Sequence, residues 1–211
     1  MSGRRNGFFD EIAPRWDSAG GPEAAERIRS WCEATAREFR KRHSPSSTGR
    51  ATILDIGCGT GISSWALAEG LGPAGNVVAL DLSHAMVREG RLRRDHRRVA
   101  WVCGGAEALP LARGIADAVL ALHVWPHIAR KRVALREWRR ALKPGGLLWI
   151  VHLMSRARVN AIHAGAPDPV RRDRLPPVGE LRRLVERAGF RVTRTEDSEE
   201  RYFLEATAPE A

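Results

Sequence analysis

The run ILDIGCGTGIS, residues 53–63, constrains this chain more than any other stretch. An apolar segment ending in Asp55 passes directly into Gly57, Gly59 and Gly61, and a helix-compatible sequence follows. Glycine inside an element costs roughly 0.5–1 kcal/mol relative to alanine, so three in five positions need a local cause. A strand that becomes a helix supplies one. The backbone must turn tightly there and come close to a neighbour, and the free N–H groups at the helix start favour negative or polar ligand atoms. Twenty residues after Gly61, the segment VVALDLS ends a second apolar run in Asp81. A carboxylate at that place can accept two hydrogen bonds from a vicinal diol, so the pair of motifs points to a ribose-bearing ligand. No Lys or Arg follows the turn in the P-loop manner, and GxGxG is not the dinucleotide pattern GxGxxG.

Around this turn, apolar runs and amphipathic segments alternate. ATILDI, VVALDLS, VAWVCG, DAVLALHV and GLLWIVHLM read as strands. SSWALAEGL, HAMVREGRLRRD and IARKRVALREWRRALK read as helices between them, the second capped by Ser83 and the last stopped by Pro144 and Gly145. Continuous apolar strands separated by helices predict a parallel α/β sheet covered on both faces. After the helix at Pro176–Phe190, RVTRTED and RYFLEAT are joined too closely for a parallel crossover, which predicts an antiparallel pair at one edge. Residues 1–50 read as a helical segment with breaks at Pro14 and SAGG, a helix from Pro22 to about Lys41, and the linker HSPSSTGR. The expected division is an N-terminal helical cap over 1–50 and an α/β domain over 51–211.

With 35 basic and 25 acidic residues the net charge is +10, carried by arginine clusters at 88–98, 130–140 and 171–174. The clusters are scattered and mixed with carboxylates, which reads as solvated helix faces rather than a nucleic-acid surface. Cys32, Cys58 and Cys103 form no CxxC pair, so neither a disulfide framework nor a zinc site is expected. No apolar run approaches the roughly 18 residues of a membrane span. The N-terminal apolar stretch is broken by Asp10, Glu11 and Pro14 and does not read as a signal peptide, so the cytoplasm is the expected compartment.

LDIGCGTG resembles motif I of the class I, seven-stranded S-adenosylmethionine (SAM)-dependent methyltransferases. VVALDLSHAMV, GGAEALPLARGIADAVLALHV, LREWRRALKPGGLLWIV and ELRRLVERAGF follow in that family's order, and the likeness spans roughly residues 50–207. The branch most similar in look acts on small molecules, including the quinone-precursor C-methyltransferases. The resemblance implies a Rossmann-like sheet of order 3-2-1-4-5-7-6 with strand 7 antiparallel, SAM as cofactor, S-adenosylhomocysteine (SAH) as product, and a monomer or homodimer. It places Gly57, Cys58, Gly59 and Gly61 near the methionyl part of SAM, with Asp55 orienting that loop. It places Asp81 on the ribose diol, Leu82 and Met86 on the adenine, Ala106 and Glu107 at the adenine edge, and Leu122 and His123 under the donor methyl. Gly105 stands where the family often has an adenine-binding Asp. Either Glu107 substitutes for it or that contact is lost.

The sulfonium donor is already activated, so alignment supplies much of the rate, and a base is needed only if the acceptor loses a proton. His123 and His127 are the base candidates. Trp16, Trp125, His152 and His163 are the candidates for the acceptor pocket, with Phe8 and Phe9 beside Trp16. His163 and the arginines at 171–174 suit an anionic acceptor. The function read from the sequence is methyl transfer to a small molecule. An RNA methyltransferase and a non-catalytic SAM-binding protein are the alternatives. No metal ligand spacing is present.

Overall fold

A computed structural model describes residues 2–42, 50–93 and 97–210, with side chains from residue 7 onward except those of 19 and 74. The linker read at 43–50 lies almost wholly outside the described residues, as does the end of the helix at 94–95.

Asn6–Gly105 forms one compact unit. It takes in α1 (Ser2–Ile12) from Asn6 onward, α2 (Trp16–Ala19) and α3 (Gly21–Arg42), then alternates β1 (Ala51–Ile56), α4 (Ile62–Leu71), β2 (Gly75–Asp81), α5 (His84–Arg93) and β3 (Val99–Cys103). The expected turn at SAGG is a short helix that ends at Ala19, after which α3 begins at Gly21. β1 pairs parallel with β2, Ile53 opposite Val77, and β2 pairs parallel with β3, Asp81 opposite Cys103. β1, in the interior of the sheet, is almost wholly buried because both of its faces are covered, whereas β3 at the edge is largely half-buried or exposed. α3 lays Cys32, Ala36 and Phe39 inward and crosses α4 at Gly70, where a Cβ would stand 2.4 Å from the Glu33 carbonyl oxygen. Arg98 donates to the Ala68 and Gly72 carbonyls at the end of α4, a cation placed on the negative pole of the helix. Other arginines form exposed pairs one helical turn apart, such as Arg29–Glu26 and Arg42–Glu38.

The second unit is formed chiefly by the chain from Ala106 onward, together with the residues up to Arg5. It holds β4 (Ala116–Leu122), α6 (Lys131–Ala141), β5 (Leu142–His152), α7 (Arg156–Gly165), α8 (Val178–Arg187), β6 (Arg191–Asp197) and β7 (Tyr202–Thr207). β4 and β5 are parallel, while β7 is antiparallel to both β5 and β6. The strand order is β3-β2-β1-β4-β5-β7-β6. α6 stops at Ala141, two residues before the expected end, because Leu142 already has extended backbone angles and Lys143 precedes a proline. The helix α7 has no counterpart in the sequence reading. Ser155 caps it by accepting from the Arg158 amide at 3.3 Å. Among the described residues no helix is long and apolar enough to cross a membrane.

Candidate functional site

In the first unit, the turn after β1 uses positive φ at all three glycines: +69° at Gly57, +54° at Gly59 and +90° at Gly61. Side chains rarely adopt that region. The Gly57 and Cys58 amides donate to the Leu80 carbonyl at 2.7 and 3.1 Å, tying the turn to the end of β2. The Gly59 amide donates to Asp81 Oδ2 at 2.9 Å, and the Ser83 amide donates to Asp81 Oδ1 at 2.8 Å. Each Asp81 oxygen has therefore taken a backbone donor, and because a carboxylate offers about four lone-pair sites, acceptor capacity remains. Burial pushes the Asp81 carboxyl up, opposed by the backbone hydrogen bonds from Ser83, Gly59 and Leu82.

Asp55 lies beneath the turn. It is fully buried and accepts through Oδ2 from the Ser63 and Ser64 hydroxyls at 2.7 and 2.6 Å, which pins the first turn of α4 to β1. Burial raises its carboxyl to about 6, against the pull of the two serines. Cys58 is buried and its thiol is pushed up by that burial, which keeps it protonated and inert as a nucleophile. Leu82 is 40% exposed, an apolar side chain open to a ligand, whereas Met86, only 2% exposed, is a core residue.

Trp101 and the carboxylates of Asp10 and Asp17 carry no signal in the sequence, whereas Trp16 does, as a candidate for the acceptor pocket. The Trp101 indole occupies a slot between Gly61 and Gly90: a Cβ on either would stand 2.2 or 2.4 Å from its ring. Trp16, 37% exposed, lies against Gly59, its Nε1 3.1 Å from where a Cβ would be. Asp10 and Asp17 tie the N-terminal helices down. Asp10 Oδ1 accepts from Ser83 Oγ at 2.5 Å and from the Ala85 amide at 3.2 Å, while Asp17 pairs with Thr60 and Arg93. Ser83 itself caps α5, accepting from the Met86 amide at 3.1 Å.

In the second unit, Ala106 and Glu107 are engaged within the protein. The Ala106 carbonyl accepts from Trp138 Nε1 at 3.0 Å, and Glu107 takes the Arg130 amide and Nε at 2.8 and 2.5 Å. Against the burial that raises it, these Arg130 contacts bring the Glu107 carboxyl down. Leu122 ends β4, buried. Trp125 departs from the expected pocket role. It is fully buried, edge-on to Trp138 with ring centroids 5.9 Å apart, because the turn after β4 folds it inward onto α6.

Four histidines gather in this unit. His123 has φ +58°, uncommon for a residue other than glycine, and its amide donates to the Val151 carbonyl at 2.8 Å. Its ring meets that of His152 edge-on at 5.2 Å, and the rings of His127 and His163 lie 4.9 Å apart. Burial, then the nearby His123, His127 and His163, holds the His152 imidazole well below its usual range, and its Nε2 has no hydrogen-bond partner among the described residues. Such a ring is neutral and a poor proton acceptor, which suits a pocket wall. Burial likewise lowers His163. His127 Nδ1 stands 2.8 Å from Oδ2 of Asp173, a residue the sequence reading passed over inside RRDR. Among the described residues no group of three or more His, Cys, Asp or Glu could hold a metal ion.

The methyltransferase domain family matches residues 54–150. A ubiquinone/menaquinone biosynthesis C-methyltransferase of Methylobacterium nodulans is 35% identical over 147 residues, 68% of this chain and 57% of that protein. The chain thus spans little more than half that relative's length. The corresponding C-methyltransferase of Hahella chejuensis is 30% identical over 177 residues, 82% of this chain and 68% of that one. A SAM-dependent methyltransferase from Aquifex aeolicus superposes with a TM-score of 0.64 at 20% identity, over 82% of this chain and 89% of that one, a likeness of fold. With the glycine turn, the Asp81 carboxylate and the reversed seventh strand in place, the chain belongs to the class I SAM-dependent methyltransferases, alongside the quinone-biosynthesis C-methyltransferases.

Proposed function

We propose that this protein transfers a methyl group from SAM to a small-molecule acceptor by in-line displacement, releasing SAH. The observation that carries the reading is the Gly59–Asp81 hydrogen bond, because it presents a carboxylate with spare acceptor capacity beside a turn of bare backbone. The donor set fits: Asp81 accepts the ribose diol, the turn over Gly57–Gly61 offers main-chain contact to the methionyl chain, and exposed Leu82 offers adenine an apolar contact. Cys58 and Met86 contribute by packing. When bound, SAM supplies an activated methyl on a sulfonium, whose loss leaves a neutral thioether. The protein's tasks are then alignment, exclusion of water and removal of an acceptor proton. Trp16, Asp10 and Asp17 form a cover over the glycine turn, held from the N-terminal helices. His127 is the proton acceptor, with His123 beside Leu122 at the end of β4 and with His152 and His163 completing the acceptor wall.

The acceptor class we favour is a hydroquinone or related enolisable ring. Its ring carbon becomes nucleophilic once a hydroxyl proton is taken up by an imidazole. Calorimetry with SAH, followed by a turnover assay with naphthohydroquinone as the acceptor, tests the reading. SAH binding with methyl transfer to carbon is the expected result. Absence of SAH binding overturns it.

A further inference from the structure

Asp173 is a charged residue only 5% exposed, and a buried carboxylate needs partners. Its Oδ2 lies 2.8 Å from His127 Nδ1, and its main-chain oxygen lies 2.9 Å from His163 Nδ1. An ionised carboxylate and a carbonyl carry no proton to give, so both imidazoles must be the donors. A neutral imidazole has one N–H. In the neutral form of each ring that N–H is on Nδ1, which leaves the lone pair on Nε2.

The frame around Asp173 is rigid. Its amide donates to the Val170 carbonyl at 2.9 Å. Two residues on, Leu175 is gripped at both main-chain groups by the Asn160 side chain, its amide donating to Oδ1 at 2.8 Å and its carbonyl accepting from Nδ2 at 3.1 Å. Val170 and Leu175 are buried, and Asn160 and His163 both project from α7. Arg171 and Arg174, which the sequence offers as anion binders, donate to the Ala166 and Asn160 carbonyls instead. The whole segment is therefore built to hold position 173.

We infer that Asp173 is a positioning residue that sets the tautomer of both His127 and His163 and presents His127 Nε2 as the proton acceptor of the methyl transfer. This rests on the methyltransferase reading above. In the step, a hydroxyl proton of the acceptor moves to Nε2 of His127. The electron pair left behind makes the ring carbon nucleophilic, the new C–CH3 bond forms, the S–CH3 pair stays on sulfur, and the ring C–H proton leaves to water. The Asp173 carboxylate stabilises the imidazolium made in that step, as a buried Asp does behind a catalytic His.

Long-range proton–nitrogen NMR on the isotopically labelled full chain, at mildly alkaline pH, reads the tautomers directly. The wild-type protein should show Nδ1–H at both His127 and His163. In Asp173→Asn the side-chain amide can donate to Nδ1, so His127 should switch to Nε2–H. His163 should not change, because its acceptor is main chain. A wild-type His127 with the proton on Nε2, or a His127 unaffected in Asp173→Asn, overturns the inference. The wild-type spectrum decides alone if the variant does not fold. Turnover with the naphthohydroquinone probe should fall about 100-fold in the variant, within the range usual for loss of a general base, with SAH affinity within twofold of wild type. Loss of SAH binding in the wild-type protein would instead strike the methyltransferase reading, leaving the tautomer result intact.

Discussion

The Gly59 amide donates to the Asp81 carboxylate across 2.9 Å, joining the turn after β1 to the end of β2 over 22 residues of sequence. The same oxygen pair receives the Ser83 amide, so Asp81 organises the turn and offers the ligand contact at once. Asp81→Ala should weaken SAH binding at least tenfold, on the order of 1.4 kcal/mol for one charge-assisted contact. It should also lower the melting temperature, because two amides lose their acceptor. Asp81→Asn, which can still accept, should retain more of the melting temperature than of the affinity. Calorimetry and thermal melting check both, and unchanged affinity in Asp81→Ala removes the ribose assignment.

Gly90 offers a test in which two effects have opposite signs. It lies inside α5, where alanine is favoured over glycine by roughly 1 kcal/mol. A Cβ there would stand 2.4 Å from the Trp101 ring, which packs edge-on against Trp65. Overpacking of this kind costs about 1–3 kcal/mol, so the clash wins and Gly90→Ala should destabilise. In a Trp101→Leu background the same change should stabilise. Denaturant unfolding of the four proteins measures the reversal, and a stabilising Gly90→Ala in the wild-type background contradicts the packing described.

Asp55 makes stability depend on pH. Its folded-state carboxyl lies near 6 against an ordinary 3.8, so between those values the folded protein holds the proton more firmly than the unfolded chain. Unfolding free energy from this group therefore falls as pH rises through about 4 to 6, by an amount on the order of 3 kcal/mol. Asp55→Asn keeps an oxygen that can accept from Ser63 and Ser64 and cannot ionise. The stability of the variant relative to wild type should climb across that window and level off above it. Urea unfolding at a series of pH values shows the trend, and a flat difference would remove Asp55 as its source.

The N-terminal cover depends on remote carboxylates. Asp10 serves the first turn of α5 as a second cap, bonding both Ser83 Oγ and the Ala85 amide. Its replacement by Ala should cost about 1 kcal/mol, typical of a lost cap. Because the contact also anchors α1, limited proteolysis should cut faster within residues 6–21 of Asp10→Ala than of wild type. Equal cleavage rates would show that the helices stay in place without it.

The alternation of strands and helices, the glycine turn and Asp81 were legible in the amino-acid sequence because each follows from local rules: apolar periodicity, the freedom of glycine, and a carboxylate at a strand end; the order of the strands came only from the family resemblance. Ser83 as the cap of α5 was legible for the same reason. Tertiary structure alone decided which side chains meet. Asp173 looked like one more member of an arginine cluster, and only the turn after α7 brings it to His127. Trp125 looked like a pocket aromatic, but the turn after β4 buries it on Trp138. Gly61 owes its lack of a side chain partly to Trp101, 40 residues away, and no spacing rule connects the two. Local sequence governs backbone conformation through sterics within a few residues, whereas proton positions and ring packing depend on neighbours that only the folded chain supplies.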